Sequence, residues 1–383
     1  MSILRKATTL QIMTMSQNLS LLCVFLIFSF TTPSTCQNTA NHDCKTKGMF
    51  VFGSSLVDNG NNNFLTNSLA KADFSPYGVD FPLGPSGRFT NGENVIDILG
   101  KKLQLSDYIP SFTDPSTWGG KIVNGVNFAS GGSGILDDTG ALAGNVTSLN
   151  RQISNFEKVT LPELEQQFGN NNSKEILSDF LFVVGSGGND YSLHYFLGLA
   201  NSNVSLEAFT DSVTAILSAQ LKRLHELGAR KFVLMAINPN GCSPMALARV
   251  PTQEGCVENL NRASTMFNSN LKSLVDDIRP QMPGSNLVFV NAYKILSDVI
   301  SSPRSYGFRD ASNSCCEVRQ VSEGGTGILC KRGGSICSNR SEYVFFDGLH
   351  PTQSVNDVIA TKAFSSLIGD EVYPFNVDEL SQI

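Results

Sequence analysis

The chain has 383 residues, enough to bury a large core in one domain or in two smaller ones. With 41% hydrophobic and 16% charged residues and 33 glycines, its composition is typical of a globular, loop-rich protein and excludes a disordered chain. The net charge is −6 and no basic run occurs, so we expect no nucleic-acid partner.

The first 36 residues predict a secretory signal peptide. Arg5 and Lys6 precede an apolar stretch at 19–30, which is short for a bilayer span, and small residues follow as far as Cys36. A membrane anchor is the alternative, but no later stretch reaches transmembrane length. We therefore expect a cleaved segment 1–36, an N-terminal extension 37–47, and a secreted protein without stable membrane insertion.

Along the rest of the chain, continuous apolar runs alternate with segments in which apolar residues recur at helical spacing. Before the run at 231–237, apolar residues recur at helical spacing from Leu206 to Leu227, and Gly228 follows as a C-cap. This alternation predicts one α/β domain with a mainly parallel sheet flanked by helices. The predicted buried strands, rich in Val, Phe and Ile, are 49–53, 122–130, 180–185, 231–237 and 286–293.

Seven cysteines follow the predicted cleavage site, and secretion favours disulfides over thiols. Cys242 and Cys256 would close a short loop, and four more lie in one glycine-rich insertion. A zinc site is the alternative, but there is no C-x-x-C pair and no histidine among them, so we predict no metal. Because seven is odd, one thiol is unpaired or takes an unexpected partner. The cysteines are Cys44, Cys242, Cys256, Cys315, Cys316, Cys330 and Cys337.

Four N-glycosylation sequons predict surface positions if they carry glycans. They begin at Asn145, Asn171, Asn203 and Asn339.

Polar or glycine-rich segments lie at the ends of three of the predicted strands. The first ends in Gly-Ser-Ser at 53–55, the second runs into "NFASGGSGI" at 127–135, and the third ends in "GSGGNDY" at 185–191. A fourth stretch, "FFDGLHPT", occupies 345–352. Since the carboxyl ends of parallel strands share one sheet edge, we expect these segments to meet there.

A serine becomes a nucleophile when a histidine takes its proton and a carboxylate holds that histidine. Of the four histidines, His42 lies near the N-terminus, His225 is predicted on a helix surface, and His194 is either a site residue or a helix-start residue. His350 has Asp347 three positions earlier, within reach across one turn. Taken alone, this pair could equally be a solvated turn.

Attack on an ester carbonyl creates an oxyanion, which needs preorganised donors. The backbone amide of Ser55, an amide in the glycine-rich turn and the side chain of Asn189 can supply them. Nucleotide binding is not indicated, because neither G-x-G-x-x-G nor G-x-x-x-x-G-K-[ST] occurs. The absence of G-x-S-x-G argues against an ordinary α/β-hydrolase.

Taken together, these segments resemble the GDSL esterase/lipase family of the SGNH hydrolase superfamily, in its secreted plant branch. Further blocks of the resemblance are "FGSSLVDNGNNN", "GRFTNG", "LGARKFVLMAINPNGC" and "YVFFDGLHPT", and it spans residues 48 to about 365. The resemblance implies a three-layer, flavodoxin-like SGNH domain, assigned to 48–375. It also implies an extracellular location in the apoplast or cell wall, and no cofactor.

Site residues follow from the same resemblance. Ser55 matches the nucleophile and first oxyanion donor, and Asn189 matches the third donor. The second donor falls on Gly132, with Gly134 as the alternative because "GGSG" blurs the register. Asp347 and His350 match the acid and base of the triad.

One position departs from the family pattern. Ser54 replaces the aspartate that gives the family its name, so the chain reads Gly-Ser-Ser-Leu. That aspartate is not the triad acid; we expect it to brace the nucleophile turn, and a serine to make one such bond without the charge. The prediction is an active but slower enzyme, with inactivity and a Ser54 nucleophile as the alternatives.

Two other matched stretches are predicted to be structural. Arg88 is expected to brace a loop rather than contact substrate, and the asparagines at 59–63 are expected to shape a turn rather than bind carbohydrate.

The sequence thus predicts a secreted serine esterase or lipase that hydrolyses lipid esters or acylated cell-wall substrates through an acyl-enzyme. An acyltransferase with the same triad and a catalytically impaired lipid- or cell-wall-binding glycoprotein are the alternatives. The partner is a small-molecule or lipid ester; the identity of that ester and the oligomeric state stay open.

Overall fold

The computed structural model describes residues 46–169, 173–200, 203–250 and 255–383. The predicted signal peptide, His42, Cys44 and the Asn171 sequon lie outside these residues. Within them, no helix has both the length and the apolarity needed to cross a bilayer.

A five-stranded sheet forms the centre of the fold, in the order β1-β2-β3-β4-β7. Its first four strands are parallel and β7 is antiparallel to β4, so the predicted α/β class with a mainly parallel sheet is confirmed. A second, two-stranded sheet pairs β5 with β6. The strands are β1 Gly48–Gly53, β2 Phe180–Gly185, β3 Lys231–Met235, β4 Asn286–Val290, β5 Asp310–Ser314, β6 Tyr343–Phe345 and β7 Val372–Tyr373.

Helices cover both faces of the sheet because its strands are apolar on both sides. Along β1, Phe50 and Phe52 pack into one core cluster, whereas Met49 and Val51 pack into the other. The α-helices are α1 Val95–Lys102, α2 Leu149–Asn155, α3 Leu161–Phe168, α4 Ser173–Leu177, α5 Leu206–Leu227, α6 Pro244–Arg249, α7 Glu258–Asp277, α8 Ala292–Ser301, α9 Gln353–Ser365 and α10 Val377–Gln382.

Helix α5 begins and ends where the apolar periodicity predicts. Ser205 caps it by accepting a hydrogen bond from the Ala208 amide, and Gly228 ends it with φ of 123°. Strand β4 ends three residues before its predicted limit, because Asn291 caps α8 by accepting from the Lys294 amide.

The predicted strand at 122–130 is wrong. The segment runs beside β1, where the Val51 amide donates to Val126 at 3.0 Å and the Phe128 amide donates to Val51 at 2.7 Å. Gly125, however, has φ of 103°, which interrupts an extended conformation, and only an isolated bridge links Val51 with Asn127.

Three disulfides join six of the cysteines. The expected Cys242–Cys256 bond forms, and the insertion carries Cys315–Cys337 and Cys316–Cys330. The insertion is attached to β6, because the amides of Cys315 and Cys316 donate to the carbonyls of Phe345 and Phe346.

Candidate active site

Ser55 lies in the tight turn that follows β1. The strand ends at Gly53, whose φ is 147°; a Cβ there would lie 2.2 Å from the carbonyl oxygen of Gly185 on β2. Only glycine fits this close approach of two strand ends. The next residues turn away from the sheet, so the Ser55 hydroxyl sits at the carboxyl edge of the sheet.

Asp347 and His350 form a compact turn directly after β6. One Asp347 oxygen, Oδ1, accepts hydrogen bonds from the amides of Leu349 at 2.8 Å and His350 at 2.7 Å. The His350 carbonyl in turn accepts from the Phe346 amide at 2.8 Å. The pair is therefore not a solvated turn: Asp347 is fully buried and His350 is 3% exposed.

The hydroxyl, imidazole and carboxylate form one continuous relay. Ser55 Oγ lies 2.8 Å from His350 Nε2, and His350 Nδ1 lies 2.8 Å from Asp347 Oδ2. The residues at 55 and 350 are 295 positions apart in the chain, yet they make a direct hydrogen bond. The geometry is that of a Ser-His-Asp triad.

An open groove begins at this relay and is lined by loops from several parts of the chain. Ser55, Gly132, Asn189 and His350 all line it. Gly134 does not; a Cβ there would lie 2.5 Å from the buried carboxylate of Asp190. Of the two glycines that the sequence leaves open, Gly132 is the one at the groove.

The groove contains N–H groups without an acceptor. Within the described part of the chain, the backbone amides of Ser55 and Gly132 donate to no protein group. The Asn189 amide nitrogen donates one hydrogen to the Ser133 carbonyl at 2.8 Å, which leaves its second hydrogen for a ligand. Gly132 has φ of 83°, a conformation that favours glycine.

Residues 49–363 match the family described as GDSL-like lipase/acylhydrolase. The chain belongs to this family. The GDSL esterase/lipase At1g29670 of Arabidopsis thaliana is 37% identical over 87% of this chain and 91% of its own length. At5g08460, another GDSL esterase/lipase of that plant, is 40% identical over 88% of this chain and 87% of its own length. At5g45670, a third one, is 36% identical over 91% of this chain and 96% of its own length.

Membership confirms the predicted fold and enzyme class: this GDSL protein is a carboxylic-ester hydrolase. Its glycine-serine-serine turn shows how the altered position 54 is accommodated. In the described residues, the Ser54 hydroxyl has no hydrogen-bond partner, so the expected bond from Ser54 to the turn is not present. Ser54 lines a pocket that Ser55 and His350 also line.

Asp58 braces the turn that carries Ser55 in this GDSL hydrolase. Its Oδ1 accepts from the amides of Gly60 and Asn61 at 2.8 Å, and its Oδ2 accepts from the Gly131 amide at 2.9 Å. Burial raises the pKa of Asp58 to about 6, although these bonds and Arg88 oppose the shift. The sequence reasoning missed Asp58; its position between a serine turn and an Asn-Gly turn was the available signal.

The other residues that the sequence analysis singled out make hydrogen bonds or packing contacts within the protein. Arg88 forms a buried two-pronged pair with Asp97, at 2.6 and 2.7 Å, which confirms a structural role. Asn61 and Asn62 are buried and donate to carbonyls of the glycine-rich loop, so they hold that loop rather than a carbohydrate. His194 is buried against Phe209, and the partly exposed His225 contacts the Pro283 carbonyl.

Proposed function

We propose that this hydrolase works through an acyl-enzyme formed on Ser55. His350 takes the Ser55 proton as Oγ attacks the ester carbonyl, then gives it to the departing alkoxide. Water then attacks the carbonyl of the acyl-enzyme while His350 takes its proton. His350 returns that proton to Ser55 Oγ as the acid is released. Asp347 orients the imidazole and stabilises its charged form. The observation that carries the proposal is the relay itself, with 2.8 Å between Ser55 Oγ and His350 Nε2.

The oxyanion of the tetrahedral intermediate is held by the three donors that line the groove. These are the free amides of Ser55 and Gly132 and the second amide hydrogen of Asn189. The carboxylate of Asp58 supports this arrangement, because it links the Ser55 turn to the amide next to Gly132.

The groove favours esters with an apolar acyl chain over acetylated sugars. It encloses about 900 Å³, including the solvent at its open side. Leu69, Leu142 and Leu197 are exposed at its rim, with 69%, 61% and 43% of their surface accessible. Each methylene that such a surface buries contributes up to about 0.8 kcal/mol, roughly fourfold in kcat/KM. Further apolar lining comes from Ala70, Phe89, Leu193, Ile328 and Leu329.

We propose that the protein is secreted to the plant apoplast or cell wall. Support comes from the three disulfides, which form and persist in oxidising compartments. The sequon residues Asn145, Asn203 and Asn339 are exposed, as glycan attachment requires. The signal peptide at 1–36, the extension at 37–47 and the hydrolase domain from 48 belong to this proposal.

Hydrolysis of p-nitrophenyl esters tests the site and the substrate class together. We expect kcat/KM to rise at least tenfold from the acetate to the octanoate ester, as the chain fills the groove. Ser55→Ala should lose at least 10³-fold in kcat, because it removes the nucleophile. Ser54→Ala is the matched control and should keep wild-type activity within about threefold, since its hydroxyl makes no hydrogen bond.

Activity lost only in Ser54→Ala would overturn the assignment of the nucleophile. A fluorophosphonate probe should label the wild type and leave Ser55→Ala unlabelled; a wild type that is not labelled would indicate a binding protein. Products formed with a hydroxylated acceptor present separate hydrolysis from acyl transfer.

A further inference from the structure

The Asp347 carboxylate has a hydrogen-bond donor that the triad does not require. Tyr77 donates its hydroxyl proton to Asp347 Oδ2 at 2.6 Å. Among the described residues, Tyr77 and the His350 imidazole are the donors to that oxygen, whereas the backbone amides of the turn serve Oδ1. Without Tyr77, Oδ2 would keep only the hydrogen bond from His350, whose Nδ1 also lies 2.9 Å from Oδ1.

The direction of this hydrogen bond is determined by the groups around the phenol. Tyr77 is fully buried, and its oxygen accepts a hydrogen bond from the Cys330 amide at 3.0 Å. The hydroxyl hydrogen is left to point at Asp347, which as a carboxylate can only accept. Burial, followed by the charge of Asp347, raises the pKa of Tyr77 well above 10.0, so the phenol stays a donor over the range of enzyme assays.

The Tyr77 ring is held by an aromatic cluster and a disulfide-bonded segment. Phe74 and Phe346 lie 5.3 and 5.7 Å from the ring, both edge-on. Cys330 is joined to Cys316, whose amide donates to the Phe346 carbonyl, one residue before Asp347. The insertion thus holds both the phenol and the strand that carries the triad acid.

We propose that Tyr77 is a positioning residue of the hydrolase, and that the disulfide-bonded insertion 315–337 holds its hydroxyl against Asp347 through the Cys330 amide. This inference rests on the proposed triad. It gives the insertion a function in catalysis: it keeps the acid in place relative to the imidazole.

Removing the phenol hydroxyl changes how Asp347 holds His350. The carboxylate loses a restraint, and misplaced catalytic groups cost up to about 100-fold in rate. Neither Tyr77 nor Asp347 lines the groove, so the loss should appear in kcat rather than in KM.

Tyr77→Phe tests the proposal in the full-length protein, with the octanoate ester as substrate. We expect kcat to fall roughly 10- to 100-fold with KM within about twofold. Tyr108→Phe is the matched control: Tyr108 also donates to a carboxylate, Glu93, at 2.7 Å, but lines neither pocket beside Ser55. It should keep the wild-type kcat and KM.

A wild-type kcat in Tyr77→Phe would overturn the proposal, and Ser55→Ala in the same assays distinguishes this from a failure of the triad itself. Should Tyr77→Phe not fold, Cys316→Ser combined with Cys330→Ser provides a second test that leaves Tyr77 in place. We expect a lower kcat with KM within about twofold; an unchanged kcat would overturn the role of the insertion.

Discussion

The carboxylate of Asp58 accepts hydrogen bonds from two different loops. Gly60 and Asn61 belong to the turn after Ser55, whereas Gly131 precedes the glycine that lines the groove. A buried carboxylate can serve such amides only at a desolvation cost. Asp58 illustrates how a residue outside the proposed triad links the turn that carries Ser55 to the loop that carries Gly132.

The raised pKa of Asp58, about 6 against an ordinary 3.8, predicts a pH-dependent stability. The folded chain takes up this proton at higher pH than the unfolded chain, so Asp58 stabilises the fold at low pH and the contribution is lost as pH rises through 6. From about pH 4.5 to about pH 7 we expect a loss of about 2 kcal/mol from this group. Asp58→Asn should lack it.

Urea unfolding of both proteins at the two pH values measures the effect. Other titrating groups are common to both and cancel in the difference between wild type and Asp58→Asn. A difference that does not change with pH would contradict the prediction.

At the scale of elements, helix α2 secures the end of strand β1 through one side chain. Gln152 is fully buried; its Oε1 accepts from the Gly53 amide and its Nε2 donates to the Gly53 carbonyl, both at 2.8 Å. The hydrogen bonds of Gln152 thus position the peptide group immediately before the serine turn. Helix α2 acts on the site through this contact, although none of its residues lines the groove.

Gln152→Ala should lower the free energy of unfolding by about 3 kcal/mol, because it leaves the buried Gly53 amide without an acceptor. It should also lower kcat, since the residue two positions before Ser55 loses its anchor. Gln167→Ala is the control: Gln167 is exposed on α3 and, within the described ranges, its side chain bonds only to Glu163 of the same helix, so its change should stay within about 0.5 kcal/mol. Equal destabilisation of the two variants would refute the role of Gln152.

At the scale of the whole molecule, the C-terminal residues complete the sheet. Strand β7 covers the outer edge of β4, where Val290 pairs with Val372. Helix α10, which lies beyond the domain end expected at 375, buries Val377 and Leu380 in the core on one face of the sheet. The compact part of the chain continues to Ile383.

Deleting residues 367–383 should therefore destabilise the protein by at least about 5 kcal/mol, because three buried aliphatic side chains are lost and an edge strand is exposed. We expect insoluble or rapidly degraded protein. Deleting only Gln382 and Ile383, which are exposed, should leave the thermal midpoint within about 2 °C. A soluble, active 1–366 chain would show that the C-terminus is dispensable.

The sequence determined those features that depend on local pattern. Helix α5, with Ser205 and Gly228 at its ends, follows from apolar spacing and capping, and β1 to β4 follow from apolar runs bounded by polar residues. Motifs at strand ends indicated where a site would form, because parallel strands deliver their carboxyl ends to one edge, and the family resemblance assigned Gly132 and the role of each candidate residue.

Only the tertiary structure decided the contacts between distant segments. Asp58, Tyr77 and Gln152 act through groups 73, 270 and 99 positions away, and no local pattern marks such pairs. The segment 122–130 has strand-like composition, yet the conformation of Gly125 prevents a regular ladder. Apolar pattern specifies which side chains are buried, whereas the partners of buried polar groups depend on how the packed chain brings its loops together.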